Sequence, residues 1–166
     1  MPGTFLHAGE LLVDAALRAA SEKAHLSGVR PRQVQVFDAE GRDERGWVLP
    51  VAHLDVVPFR AVEPALGDDV RLEPVAGATG LAFDHDAIVA FVAERVRQDH
   101  EDPADPYALL DEPFTLLELR RLHEAVLGRA LAKDTFRRRM EQHLSDTGEL
   151  RDGVVGKPAR LWRRRP

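Results

Sequence analysis

An acidic stretch broken by two prolines, Arg97-Gln-Asp-His-Glu-Asp-Pro-Ala-Asp-Pro106, sets the organisation of this chain. Proline removes a backbone donor and restricts the residue before it, so such a stretch interrupts helix and belongs at a surface. The charge changes sign close by. Residues 1–112 hold 10 Lys/Arg against 21 Asp/Glu, a balance of −11, whereas residues 113–166 hold 13 against 7, a balance of +6. A chain of 166 residues has room for one mid-sized domain or two small ones, and the break predicts two, 1–105 and 106–166. The basic part suits a polyanion, because phosphates attract Lys and Arg and released counterions add to affinity. Cysteine is absent, which excludes disulfides, thiolate nucleophiles and Cys-ligated zinc. No apolar run reaches the roughly 18 residues of a membrane span, and no secretory leader pattern is visible. The expectation is a cytoplasmic protein with no membrane partner.

In the acidic part, Glu10 to Leu26 reads as an amphipathic helix, with Leu12, Val13, Ala16, Leu17, Ala20 and Ala24 on one face. Asp14, Arg18 and Glu22 fall at i, i+4 and i+8 on another, where opposite charges support a helix. Strands are predicted at Gln33–Phe37 and Gly46–Val57, joined by a hydrophilic loop or hairpin. The Pro-, Gly- and Asp-rich stretch from Pro58 to Gly80 reads as loop with one or two short strands, and Ala87–Arg97 as helix.

The segment Pro2-Gly-Thr-Phe-Leu-His-Ala-Gly-Glu10, followed after seven residues by Arg18-Ala-Ala-Ser-Glu-Lys-Ala-His-Leu26, resembles the Nudix box. The spacing from Glu10 to Arg18 and on to Leu26 matches the family pattern. The departures are Thr4 at the first Gly, Ala19 at the Glu after Arg18, Lys23 at the last Glu and His25 at the second Gly. In Nudix hydrolases the box helix gathers carboxylates that hold Mg²⁺ or Mn²⁺ against a diphosphate. Positions 19, 22 and 23 share one side of a helix by i+3 and i+4 spacing, so glutamates there would converge on a hard cation. Ala19, Glu22 and Lys23 supply one carboxylate beside an ammonium. The resemblance therefore implies a degenerate box, marked by Glu10, Arg18 and Glu22, with no catalytic residues and no metal. Strands that the family places ahead of the box have no counterpart before Met1, so the Nudix-like part is expected to be N-terminally short.

The basic part carries clearer local signals. Thr115 and Glu118 form a capping box at the start of Phe114–Gly128, and Gly128 is placed to end that helix. Leu116, Leu119, Leu122, Val126 and Leu127 supply its buried stripe. A second helix follows over Lys133–Leu144, with Phe136 and Met140 directed inward together. With Phe136 at zero on a wheel of about 100° per residue, Asp134 and Arg138 lie opposite the core, and Arg137 and Arg139 flank it. Asp134 is suited to cap the helix. Two helices about a tight turn, the second presenting arginines, make a helix-turn-helix. Glu149–Arg165 reads as a β-hairpin wing, with Gly153 and Gly156 at its bend and Leu161 packed beneath the helices. Lys157, Arg160 and the tail are expected to be solvated.

Thr79–Ile88, Phe114–Gly128, Phe136–Met140 and Gly156–Arg163 are similar to the Nudix-related transcriptional regulators of bacterial NAD metabolism. That resemblance implies an α+β chain, a partial Nudix-like α/β sandwich followed by a winged helix-turn-helix domain. It further implies a homodimer acting on double-stranded operator DNA and answering to ADP-ribose or a related small-molecule effector. The matching DNA-binding residues are Lys133, Thr135, Arg137, Arg138, Arg139, Lys157 and Arg160. No cofactor is expected. The alternatives are a Nudix hydrolase of a nucleoside diphosphate derivative, which alone would call for Mg²⁺, and a shortened paralogue that pairs with a full-length regulator. Seven histidines raise metal binding, but His85 sits at a helix start, and His123 and His143 have no second His at i+4. No Ser-His-Asp order, Walker loop or dinucleotide fingerprint is present.

Overall fold

A computed structural model describes residues 1–38, 46–152 and 158–165. The chain divides into two compact units, Met1–Glu94 and Arg95–Pro166. In order, the elements are α1 (Leu12–Ala24), β1 (Arg32–Val36), β2 (Val51–Leu54), the single turn α2 (Phe59–Val62), α3 (His85–Asp99), β3 (Phe114–Thr115), α4 (Leu116–Leu127), α5 (Lys133–Glu141), β4 (Leu144–Arg151) and β5 (Ala159–Arg164). The fold is mixed α and β. Among the described residues no helix is long and apolar enough to cross a membrane.

In the first unit β1 and β2 pair antiparallel, Arg32 opposite Leu54 and Val36 opposite Val51, with an irregularity between Gln33 and Gln35. Helix α1 packs against β2. Its buried face is Ala15, Ala19 and Ala24, which corrects the expected stripe: Leu12, Val13 and Leu17 are exposed. Alanines let the helix backbone come close to a surface, whereas larger side chains on that face would hold it away. The strand expected over Gly46–Val57 is only Val51–Leu54, since Pro50 supplies no donor to a ladder. Trp47, 71% exposed, lies outside it. Over Pro58–Gly80 there is no strand. The stretch forms α2 and two short 3₁₀ turns, Glu63–Ala65 and Val75–Gly77. Helix α3 is longer than Ala87–Arg97 at each end.

The second unit is built around Phe114, Leu119, Phe136, Met140, Leu144 and Trp162, with Leu110, Leu116 and Leu131 at the edge. Thr115 caps α4 as expected: its Oγ1 accepts from the Glu118 N–H (3.2 Å), and its own N–H donates to Glu118 Oε2 (2.7 Å). Gly128 ends α4 at φ +66°, donating to the Glu124 carbonyl at 2.9 Å. The hairpin strands pair antiparallel, Leu144 opposite Arg164 and Arg151 opposite Ala159. The helix expected over Phe114–Gly128 starts only at Leu116, and the first two residues of that span form the strand β3. This strand adds to β5 through Phe114–Trp162 and Thr115–Leu161, giving the order β3-β5-β4. Leu161 is buried, as is Trp162. The bend residues Gly153 and Gly156 lie outside the described residues.

Candidate functional site

Two constellations carry the chemistry, one in each unit. In the first, the loop before α1 folds onto Arg18. The guanidinium donates to both Glu10 carboxylate oxygens (2.8 and 2.9 Å), to Thr4 Oγ1 (2.9 Å) and to the Phe5 carbonyl (3.0 Å). The His7 N–H also donates to Glu10 (2.9 Å). The hydrogen bond from Arg18, followed by that from His7, holds the Glu10 carboxyl down to about 2, and the same partnership raises Arg18. Glu22 takes little part. It pairs with Arg18 at 3.9 Å, the i,i+4 pair expected from spacing, but is 60% exposed, and the bidentate clamp on Glu10 is the stronger of the two. Lys23 donates through Nζ to the Gly3 carbonyl. His25, at the box's second Gly, adopts the left-handed conformation (φ 53°) and its N–H closes the helix onto Ala20 and Ser21.

The positions that would gather a cation are therefore a buried alanine, an exposed glutamate and a lysine tied to a carbonyl. A hard divalent ion needs several converging oxygens, and this donor set does not fit Mg²⁺. Among the described residues no group of three or more His, Asp or Glu is placed to hold a metal.

In the second unit α5 turns Phe136 and Met140 into the core. Lys133, Asp134, Thr135, Arg137 and Arg138 are consequently exposed on its other faces. Asp134 makes no cap: the N-cap is Ala132, without a side-chain bond, and Asp134 sits in the first turn, where its charge favours the positive helix end. Arg137 donates to Glu141 at 2.7 Å. Arg139 is half-buried, with Nε in no hydrogen bond of good geometry. Arg160, on β5, is exposed and held by Asp146 at 2.6 Å. Lys157 lies outside the described residues. The tail is not uniformly solvated. Arg164 is 20% exposed, donates to Glu112 (2.8 Å) and the Leu110 carbonyl (2.6 Å), and lies 5.4 Å from the Phe114 ring centroid. At the other end of the wing, Arg151 bridges Glu118 and the Pro113 carbonyl, both at 2.8 Å.

Beneath α5 lies a pair the sequence did not bring together. His123 and His100 are both fully buried, their rings 5.5 Å apart, and His123 also meets Phe136 edge-on at 5.1 Å. His100 Nδ1 donates to the Val96 carbonyl (2.8 Å), while neither ring nitrogen of His123 has a hydrogen bond of good geometry. Burial first, then the neighbouring His100 and Arg139, push His123 down to about 4, against smaller opposing pulls from the His100 backbone and Asp105. The two histidines are 23 residues apart, and no helical spacing signals their contact.

Residues 106–164 match the family described as the NrtR DNA-binding winged helix domain. Over 98% of its length the chain is 31% identical to an ADPR responsive transcriptional repressor of Acinetobacter baylyi, covering 68% of that protein. A crystal structure of Shewanella oneidensis NrtR complexed with a 27mer DNA is similar at 33% identity and a TM-score of 0.79, with 99% of this chain and 78% of that one covered. A MutT/nudix family protein from Enterococcus faecalis shares the fold at 22% identity and a TM-score of 0.70, over 98% of this chain and 71% of that one.

Proposed function

This chain belongs to the NrtR family of Nudix-related transcriptional regulators, and from that membership we infer that it is a DNA-binding regulator controlled by a small molecule. Its C-terminal winged helix binds double-stranded operator DNA. Its Nudix-like unit, with a degenerate box, senses ADP-ribose or a related NAD metabolite. The observation that carries this reading is the split personality of α5. Phe136 and Met140 anchor one face in the core, which leaves Lys133, Thr135, Arg137 and Arg138 standing outward. A helix held that way enters the major groove with its N-terminal turns, where arginine reads guanine edges and lysine meets phosphate.

In this reading Lys133, Thr135 and Arg137–Arg139 contact the groove and its phosphates, and Arg160 and Lys157 on the wing grip the flanking backbone. The DNA-binding domain is 106–166 and the sensor 1–105. The protein works in the cytoplasm as a homodimer, whose two-fold axis matches paired half-sites. Glu10 and Arg18 serve the sensor as a clamp that fixes the box loop.

Fluorescence anisotropy of the chain on labelled DNA from upstream of its own gene tests this, against scrambled DNA, over a salt series, with and without ADP-ribose. Tighter binding to the native fragment with an ADP-ribose-dependent change is the expected result. Equal, weak binding to both DNAs would overturn the regulator reading.

A further inference from the structure

The box keeps its scaffold and has lost its metal ligands, and those two facts together say something about how the sensor holds its ligand. The scaffold is intact in three places. Arg18 grips Glu10 with two hydrogen bonds, Thr4 at the first Gly position receives a third from the same guanidinium, and His25 holds the left-handed turn that glycine would adopt without strain. A non-glycine residue at φ 53° is retained only where its surroundings fix it.

The ligand positions have changed in a consistent direction. Ala19 is 3% exposed, so no carboxylate faces the loop from there. Lys23 is one helical turn further along the same side of α1, and it replaces an acid with an ammonium. One of its donors is spent on the Gly3 carbonyl, which stretches the side chain back over the box loop. The side chain is otherwise exposed, and an ammonium carries three donors. Arg18 has less capacity to spare, because four of its five N–H donors already serve Glu10, Thr4 and Phe5.

We propose that the Lys23 ammonium stands in for the divalent cation as the counter-charge to the diphosphate of an ADP-ribose-like effector, so that the sensor binds its ligand without a metal. This rests on the sensor reading given above. A hydrolase needs a cation that also activates water and polarises the phosphorus. A sensor needs only attraction and position, and a tethered ammonium supplies both without dependence on the metal supply.

Isothermal titration calorimetry of ADP-ribose into the full chain, in EDTA and in excess Mg²⁺, tests it. Binding within about twofold in the two buffers is expected. Lys23→Ala, checked for fold by circular dichroism, should bind about tenfold more weakly in both, the loss of one charge-assisted contact. In parallel, Mn²⁺ titration followed by electron paramagnetic resonance should show no saturable site. Binding that requires Mg²⁺, a Lys23→Ala variant of full affinity, or a saturable Mn²⁺ site removed by Glu22→Gln would each overturn the proposal and leave the sensor reading standing. No ADP-ribose binding in either buffer would overturn both.

Discussion

Acidification should loosen the winged helix through one residue, His123. The imidazole is fully buried and its pKa falls from 6.5 to about 4 in the folded chain. Below pH 6.5 the unfolded chain takes up a proton that the folded chain refuses, so stability falls as pH falls, and the effect is complete below about 4. The slope approaches about 1.4 kcal/mol per pH unit, so from pH 7 to pH 4.5 the loss is about 2–3 kcal/mol. Glu118 acts in the same direction at lower pH. Burial pushes it up, but the Thr115 hydrogen bonds and Arg151 outweigh that and lower it from 4.5. Its contribution is present above 4.5 and is lost below, so it adds little to the slope between pH 6.5 and 4.5. The assay is urea unfolding at several pH values, read by Trp162 fluorescence in a Trp47→Phe background. Trp162 is buried in the second unit and Trp47 is exposed in the first. His123→Phe keeps an aromatic ring against His100 and Phe136 while removing the proton site, and should flatten the slope between pH 6.5 and 4.5. A flat wild-type profile, or an equal slope in the variant, would refute the argument.

Four further outcomes are expected. Phe136→Ala removes a ring that is 4% exposed and central to the second unit, and should cost about 3–5 kcal/mol in chemical denaturation. Arg138→Ala, on the outward face of α5, should weaken binding to specific and scrambled DNA and reduce the salt slope by about 1 if it meets a phosphate. Glu141→Gln releases Arg137 from its 2.7 Å ion pair and removes a negative charge beside the groove, so DNA affinity at low salt should rise about two- to fivefold, measured by anisotropy. Gly128→Ala meets open space but must adopt φ +66°, and should lower stability by about 1 kcal/mol, read as a shift in Tm.

What was legible in the sequence was local. The Thr115–Glu118 cap, the Gly128 stop and the Phe136–Met140 pair each act within one or two helical turns, so composition and spacing specify them. The same holds for the Glu10–Arg18 spacing that marks the box. Contacts of long sequence separation were not legible. Arg164 reads as one more tail arginine until Glu112, 52 positions earlier, receives its guanidinium. His123 reads as a helix residue with no second His at i+4 until His100 is placed against it. The inner face of α1 is not legible from apolar periodicity alone. Leu12, Val13 and Leu17 outweigh Ala15 and Ala19 in any periodic pattern, yet the close approach to β2 selects the alanines. The short strand β3 has two residues and no alternation to detect, and only its partner β5 defines it.

The central claim is a division of labour: α5 and the wing hold DNA, and the box unit holds the effector. Amide chemical-shift mapping by NMR tests it most directly, with operator DNA and ADP-ribose titrated separately into the same labelled chain. The account predicts that DNA perturbs amides of residues 133–139 and 158–163, and that ADP-ribose perturbs those of the loop and helix from Gly3 to His25. Both ligands acting on the same unit, or ADP-ribose leaving every amide of the box unmoved, would contradict it.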